Sequence, residues 1–123
     1  MSDSSPPPLT LPAAFVIMGV SGCGKSALSR ALHERLLAAG HPSRWLEGDD
    51  FHPPSNIEKM RQGQPLNDED RAPWLAELNA QMRQAIAHGE SAVLACSALK
   101  ARYRQVLRDG LPHFVLIHPH GPF

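Results

Sequence analysis

The chain has 123 residues, of which 42% are hydrophobic and 20% are charged, and its 12 basic side chains balance its 12 acidic ones. A chain of this length forms one domain with a real core and excludes a second independent domain. Zero net charge excludes a general attraction to nucleic acid or to an anionic membrane surface. No apolar run approaches the roughly 18 residues of a membrane span, and the N-terminus lacks the features of a signal peptide. We therefore expect a cytoplasmic protein with neither nucleic-acid nor membrane partners.

The order of apolar segments indicates the fold class. Residues 1–12 are rich in serine and proline and predict a disordered tail, so that the domain comprises residues 13–123. Continuous apolar runs predict strands at residues 13–20, 44–46, 91–96 and 113–118. Helical spacing predicts helices that begin after Lys25, at an Asn56 cap, at Pro73 and near residue 98. This alternation indicates an α/β fold with a mostly parallel sheet, in which ligands bind beyond the carboxyl ends of the strands.

A glycine-rich segment joins the first predicted strand to the first helix. It reads GVSGCGKS and matches the phosphate-binding pattern GxxxxGK[ST] in the strand-to-helix context that this pattern requires. The match predicts a three-layer P-loop NTPase fold that binds ATP and Mg²⁺. Lys25 would contact the β and γ phosphates as a catalytic cation, and the Ser26 hydroxyl would ligate Mg²⁺. The predicted nucleotide-binding residues are Gly19, Val20, Ser21, Gly22, Cys23, Gly24, Lys25 and Ser26.

Two further segments follow the second and third predicted strands. Residues 48–75 read GDDFHPPSNIEKMRQGQPLNDEDRAPWL and residues 96–104 read CSALKARYR. Together with the glycine-rich segment, and in this order, they resemble the gluconokinases, small P-loop kinases of a sugar acid. The resemblance runs from about residue 15 to the end of the chain. It implies a nucleoside-monophosphate-kinase-like fold and the reaction of ATP with D-gluconate to give ADP and 6-phosphogluconate, and it allows a homodimer.

The segment after the second strand carries the candidate base. Asp49 follows this strand, so its carboxylate can accept the proton of a substrate hydroxyl and can also hold a water on Mg²⁺. The adjacent Asp50 points elsewhere, and we interpret it as a solvated charge. His52 either hydrogen-bonds the substrate or is tied to the backbone, because a neutral imidazole serves both uses.

Basic residues in both segments are candidates for binding the carboxylate of a sugar acid, since the planar guanidinium of arginine pairs with both carboxylate oxygens. The alternative for Arg71 is local salt bridging to its acidic neighbours, but the resemblance implies that it faces the substrate and acts in catalysis. Lys100 and Arg104 follow the third strand, and their alternative is a solvated helix face. Ser97 either contacts the substrate or caps the next helix.

The resemblance also indicates what this sequence lacks. Gluconokinases continue beyond the fourth strand with a helix, a basic lid that closes over ATP, a further strand and a final helix. We therefore expect an incomplete domain without the C-terminal lid and last strand.

The alternative function is a catalytically inactive nucleotide-binding fragment of the same fold, and a third interpretation keeps the kinase fold but changes the acceptor. Residues 59–61 correspond to a substrate-side lid without a catalytic role, and Trp74 is expected to pack in the core.

Overall fold

The computed structural model describes residues 11–18, 25–96 and 100–117 of the chain. Four strands form one sheet in the spatial order β2-β3-β1-β4, and every neighbouring pair is parallel. The strands are β1 (Ala14–Met18), β2 (Ser43–Glu47), β3 (Ser91–Cys96) and β4 (Phe114–Ile117). The helices are α1 (Lys25–Ala38), α2 (Pro54–Arg61), α3 (Asp68–Ala87) and α4 (Ala101–Arg108), and a short 3₁₀ turn, Gly48–Phe51, follows β2.

Helices cover both faces of the sheet, which gives the three layers expected from the sequence. Successive residues of a strand point to opposite faces. Ala14 and Val16 of β1 belong to a core beneath α3 and α4, whereas Phe15 and Ile17 belong to a second core beneath α1. The two central strands, β1 and β3, are buried along their whole length. Burial on both faces explains why they are continuous apolar runs without polar alternation.

The helix α3 begins earlier than the sequence analysis predicted. Its cap is Asn67, whose side chain accepts a hydrogen bond of 2.8 Å from the backbone N–H of Asp70. In return, the Asp70 carboxylate accepts a hydrogen bond of 3.0 Å from the backbone N–H of Asn67. This reciprocal arrangement satisfies two N–H groups at the helix start. Pro73 therefore lies inside α3, and the prediction that it occupies the first turn is wrong.

The helix α2 also has a different start. Its cap is Pro53, whose carbonyl oxygen accepts hydrogen bonds from the backbone N–H groups of Asn56 and Ile57 at 2.9 and 3.2 Å. The prolines at residues 53 and 54 fix backbone angles that suit a helix start, so the chain needs no side-chain cap there. The prediction that Asn56 caps this helix is wrong: Asn56 lies within α2 and is buried.

Two further expectations concern the N-terminal tail and membrane-spanning segments. The predicted tail of residues 1–12 falls almost entirely outside the described residues and stays a prediction. Within the described ranges, no helix combines the length and the apolar character that a bilayer crossing requires.

Candidate functional site

The carboxyl ends of all four described strands meet at one edge of the sheet because the strands are parallel. The 3₁₀ turn that carries Asp49 follows β2 at this edge, and the segment that leads to Lys100 follows β3. Residues 19–24 and Ser97 lie outside the described residues, as do the side chains of Lys25 and Ser26, whose backbone opens α1. The nucleotide-binding roles of residues 19–26 and the role of Ser97 therefore stay predictions.

A cavity of about 390 Å³ opens at this edge. It brings together four of the predicted substrate-binding side chains, Asp49, His52, Arg71 and Lys100, from three separate segments of the chain. The rest of its lining comes from α2, from the α2–α3 connection and from aromatic residues of α3 and α4: Met60, Gln64, Pro65, Leu66, Trp74 and Tyr103. A carboxylate, an imidazole and two cations thus share one concave site.

The position of the 3₁₀ turn depends on Gly48. A Cβ atom at this residue would lie 2.9 Å from the carbonyl oxygen of Ala95 in β3, so only glycine allows the turn to come this close. The Trp74 indole donates a hydrogen bond of 2.7 Å to the Gly48 carbonyl oxygen. These two contacts hold the turn against the sheet and α3. They place Asp49 in the cavity lining, whereas Asp50 is exposed and is not part of it.

His52 is held by contacts on two sides. Its ring stacks on Trp74 with 4.3 Å between ring centroids and 12° between planes. The Asn56 amide lies 3.2 Å from its Nδ1 atom. Burial lowers the pKa of His52, Asp49 raises it to a smaller extent, and Arg71 contributes a further lowering. A pKa below the ordinary histidine value keeps this ring neutral at pH 7.

Arg71 does not form the local salt bridges that were its alternative. Asp70 pairs with Lys59 at 2.7 Å, and Asp68 accepts from Arg102 and from the Tyr103 hydroxyl. Among the described residues, Arg71 has no carboxylate partner. Its Nη1 atom donates to the Tyr103 phenol oxygen at 3.4 Å, and its guanidinium carbon lies 5.8 Å from the centre of that ring. Most donors of this guanidinium are therefore available to an anion in the cavity.

Tyr103 is the residue around which the cations of the site gather. Lys100 and Arg102 also lie over its ring, at 5.8 and 5.5 Å from the centroid. Lys100 is exposed, and its Nζ atom is 3.9 Å from an Asp68 carboxylate oxygen. Sequence analysis missed Tyr103 and Asp68. Tyr103 lies in a segment predicted only to be helical, and its contact with Asp68 joins residues 35 apart in the chain.

Arg104 lies apart from this cavity. It is half-buried on α4 and lines a separate hollow together with Arg108, Phe114 and Leu116. The structure thus groups Arg71 and Lys100 but does not group Arg104 with them, and its substrate contact stays a prediction.

The oxygen-bearing side chains at the sheet edge are candidate ligands for Mg²⁺. No cluster of three or more histidine, cysteine or acidic side chains occurs in the described part of the chain. Mg²⁺ does not need such a cluster, because it binds through one or two protein oxygens while phosphates and water complete its shell. Asp49 offers an exposed carboxylate, and Ser26 opens α1 at the same edge. Both are oxygen donors of the kind that Mg²⁺ prefers, so the residues fit this ion.

Comparisons with known proteins agree with the fold and the motifs. No protein-family model matches the chain. It is 51% identical to a gluconokinase of Gluconobacter oxydans over 102 residues, which are 82% of this chain and 54% of that protein. A gluconokinase structure from Sinorhizobium meliloti superposes with a TM-score of 0.72 at 45% identity, covering 90% of this chain and 59% of the other. A sugar kinase structure from Janibacter gives a TM-score of 0.78 at 41% identity, covering 89% and 61%.

These similarities confirm the P-loop kinase fold and the resemblance to gluconokinases. The chain spans little more than half the length of the curated relatives it matches, for example 54% of the Gluconobacter oxydans protein and 59% of an Escherichia coli gluconokinase.

Proposed function

Because this chain shares its sequence and its fold with the gluconokinases over most of its own length, we propose that it transfers a phosphoryl group from ATP to D-gluconate and produces 6-phosphogluconate. The observation that carries this proposal is the cavity at the carboxyl edge of the sheet, which combines Asp49, His52, Arg71 and Lys100. For its acceptor, a sugar-acid kinase requires a carboxylate that takes the hydroxyl proton and cations that bind the acid group.

The charges of the cavity suit gluconate. Arg71 would pair with the substrate carboxylate through the guanidinium donors that Tyr103 leaves available, and Lys100 would add a second positive charge. His52 would hydrogen-bond a polar group of the substrate. Asp49 would accept the proton of the hydroxyl that attacks the phosphoryl group. Ser97 and Arg104 are further proposed contacts, which this cavity does not include.

The nucleotide would bind at the neighbouring segment. Residues 19–24 would surround the phosphates with backbone N–H groups, and Lys25 would contact the β and γ phosphates. Ser26 and Asp49 would hold Mg²⁺, directly or through water. When bound there, Mg²⁺ would neutralise negative charge on the phosphates. The α1 helix begins at Lys25, so its positive N-terminal end would add to the binding of the phosphates.

The test is gluconate-dependent ADP release by the purified chain with ATP and Mg²⁺, with Lys25→Ala as the blank. D-Sorbitol is the matched acceptor control, because it has the same carbon chain with an alcohol in place of the carboxylate. We expect activity with gluconate only. In Arg71→Ala, the gluconate affinity measured by calorimetry should fall about 10- to 100-fold, since a hydrogen bond to a charged group contributes about 1.5–3 kcal/mol. Equal rates with both acceptors, or gluconate binding that Arg71→Ala leaves unchanged, would contradict the proposal.

A second outcome favours the alternative function. ATP binding that depends on Lys25, together with neither gluconate binding nor gluconate-dependent ADP release, would identify the chain as a nucleotide-binding module without kinase activity.

A further inference from the structure

The amide nitrogen of Asn56 makes two hydrogen bonds that connect three segments. It donates to the backbone carbonyl oxygen of Asp70 at 2.8 Å and approaches Nδ1 of His52 at 3.2 Å. Asn56 is 1% exposed, so water does not compete for these bonds. A buried amide with both hydrogens engaged is a fixed group rather than a rotating one.

The Asp70 carbonyl determines which way this amide faces. A carbonyl oxygen only accepts hydrogen bonds, so it requires the NH₂ group of Asn56 and would repel the amide oxygen. The same NH₂ group therefore faces His52, and the Nδ1 atom of His52 must accept. A neutral imidazole that accepts at Nδ1 carries its proton on Nε2.

The surroundings of the ring agree with this protonation state. Burial is the largest effect and lowers the pKa of His52; Asp49 raises it to a smaller extent, and Arg71 lowers it by the smallest of the three effects. Lys100, a further cation, lines the same cavity. A second proton, on Nδ1, would also meet the NH₂ group of Asn56, so protonation would break this hydrogen bond.

The other ring nitrogen, Nε2, is the one that remains for a ligand. His52 lines the cavity, and its Nε2 atom has no hydrogen-bond partner among the described residues. The stack on Trp74, with 12° between the ring planes, prevents the ring from tilting. An Nε2–H group in this position is a donor, so the group that it recognises must be an acceptor.

We propose that Asn56 is a positioning residue that fixes His52 as the Nε2–H tautomer, which makes His52 a hydrogen-bond donor to the sugar acid and excludes it as the base that accepts the hydroxyl proton. This role rests on the proposed function, although the tautomer itself does not. The base of the reaction is then Asp49, the carboxylate that lines the same cavity.

The first experiment measures the tautomer without any ligand. In a long-range ¹H–¹⁵N correlation spectrum of histidine-labelled protein at pH 7.5, the two nitrogens of each tautomer give different patterns, and His52→Gln assigns the His52 signals. We expect the Nε2–H pattern. An Nδ1–H pattern, or a doubly protonated ring, would overturn the inference. The His52 signals can also be assigned from the backbone resonances of the wild type, so the test does not depend on whether a variant folds.

The second experiment replaces the donor group of Asn56 with an acceptor. In Asn56→Asp a carboxylate accepts from Nδ1–H, so that Nε2 becomes an acceptor in the neutral ring. We expect the tautomer to change and gluconate affinity at pH 8 to fall about tenfold, through the lost hydrogen bond. As the pH is lowered, the variant ring takes a second proton, Nε2–H returns, and affinity recovers. The wild type shows no such recovery. A variant that loses affinity equally at every pH would contradict the donor role.

The matched control is Asn79→Asp. Asn79 is also buried, and its amide nitrogen donates to two carbonyl oxygens, those of Leu107 and Asp109, at 2.7 and 2.8 Å. This variant loses comparable hydrogen bonds outside the lining of the cavity, and we expect the His52 tautomer and the pH profile to stay unchanged. Failure of wild-type gluconate binding would refute the proposed function and the donor role together, whereas the ligand-free spectrum would still report the tautomer.

Discussion

At the scale of single residues, the site is organised by a tyrosine rather than by direct pairing of opposite charges. Tyr103 is 6% exposed and carries a hydroxyl that donates to Asp68 and accepts from Arg71. Because Asp68 is engaged by Tyr103 and Arg102, it does not neutralise Arg71. The aromatic ring holds the cation by a weaker attraction that leaves the guanidinium donors usable.

The first prediction concerns this hydroxyl. Tyr103→Phe keeps the ring and removes only the hydrogen bonds, so we expect gluconate affinity to fall about fivefold, the equivalent of about 1 kcal/mol for one hydrogen bond. Affinity for ATP stays unchanged, because its predicted site is the glycine-rich segment. Titration calorimetry with each ligand measures both effects. The control Arg102→Gln breaks an exposed contact with the same Asp68 outside the cavity, and it is expected to leave gluconate affinity intact. An equal loss in both variants would mean that Tyr103 does not position Arg71.

At the scale of secondary-structure elements, α2 is attached to the first turn of α3. The Asp70 carboxylate accepts from Lys59 of α2 at 2.7 Å, and its backbone carbonyl accepts from Asn56 of the same helix. The same carboxylate completes the cap of α3 with Asn67. One residue thus connects two helices that both contribute side chains to the cavity wall.

The second prediction is a pH dependence of this connection. The hydrogen bond from Lys59, and then that from the Asn67 backbone, lowers the pKa of Asp70 below its ordinary value. The native state therefore binds this proton less readily than the unfolded chain. The resulting stabilisation is complete above about pH 4 and is lost as the pH falls through the lowered native pKa. In a double-mutant cycle of Lys59→Met and Asp70→Asn, urea unfolding should give a favourable coupling at pH 7 that shrinks toward pH 3. A coupling of the same size at both pH values would be evidence against the pairing.

Element boundaries mark where sequence analysis succeeded and where it stopped. The central strands β1 and β3 follow from local patterns, because burial on both faces leaves a continuous apolar run, and α1 follows from the helical spacing of the side chains that pack on the sheet. The predicted start of α3 at Pro73 is wrong because the reciprocal hydrogen bonds of Asn67 and Asp70 begin the helix about one and a half turns earlier, and a proline is tolerated there. The partners of Asn56 and Tyr103 could not be predicted, since both contacts join segments that only the folded chain brings together.

At the scale of the whole molecule, one sheet separates two cores but also couples them. Val16 and Ile17 are adjacent in β1 and are both fully buried, yet they face different cores. A change in either core alters the same strand. Trp74 lies in the core beneath α3 and α4, and Trp45 lies on β2, where its indole donates to Ser29 of α1 at 3.0 Å.

The third prediction is that both faces unfold together. In a Trp45→Phe background, the fluorescence of Trp74 reports the α3 and α4 face alone, whereas Ile17→Ala damages the opposite core. We expect this substitution to lower the free energy of unfolding by about 2–5 kcal/mol, the usual cost of truncating a large buried aliphatic side chain. The urea transition of Trp74 should move by the same amount as that of far-ultraviolet circular dichroism, because the shared strand transmits the loss.

Leu37→Ala is the control, since Leu37 is 49% exposed and should change stability by at most about 0.5 kcal/mol. If the Trp74 transition stayed in place while the dichroism transition moved, the two faces would be separate folding units, and the cavity beside Trp74 would survive damage to the α1 core.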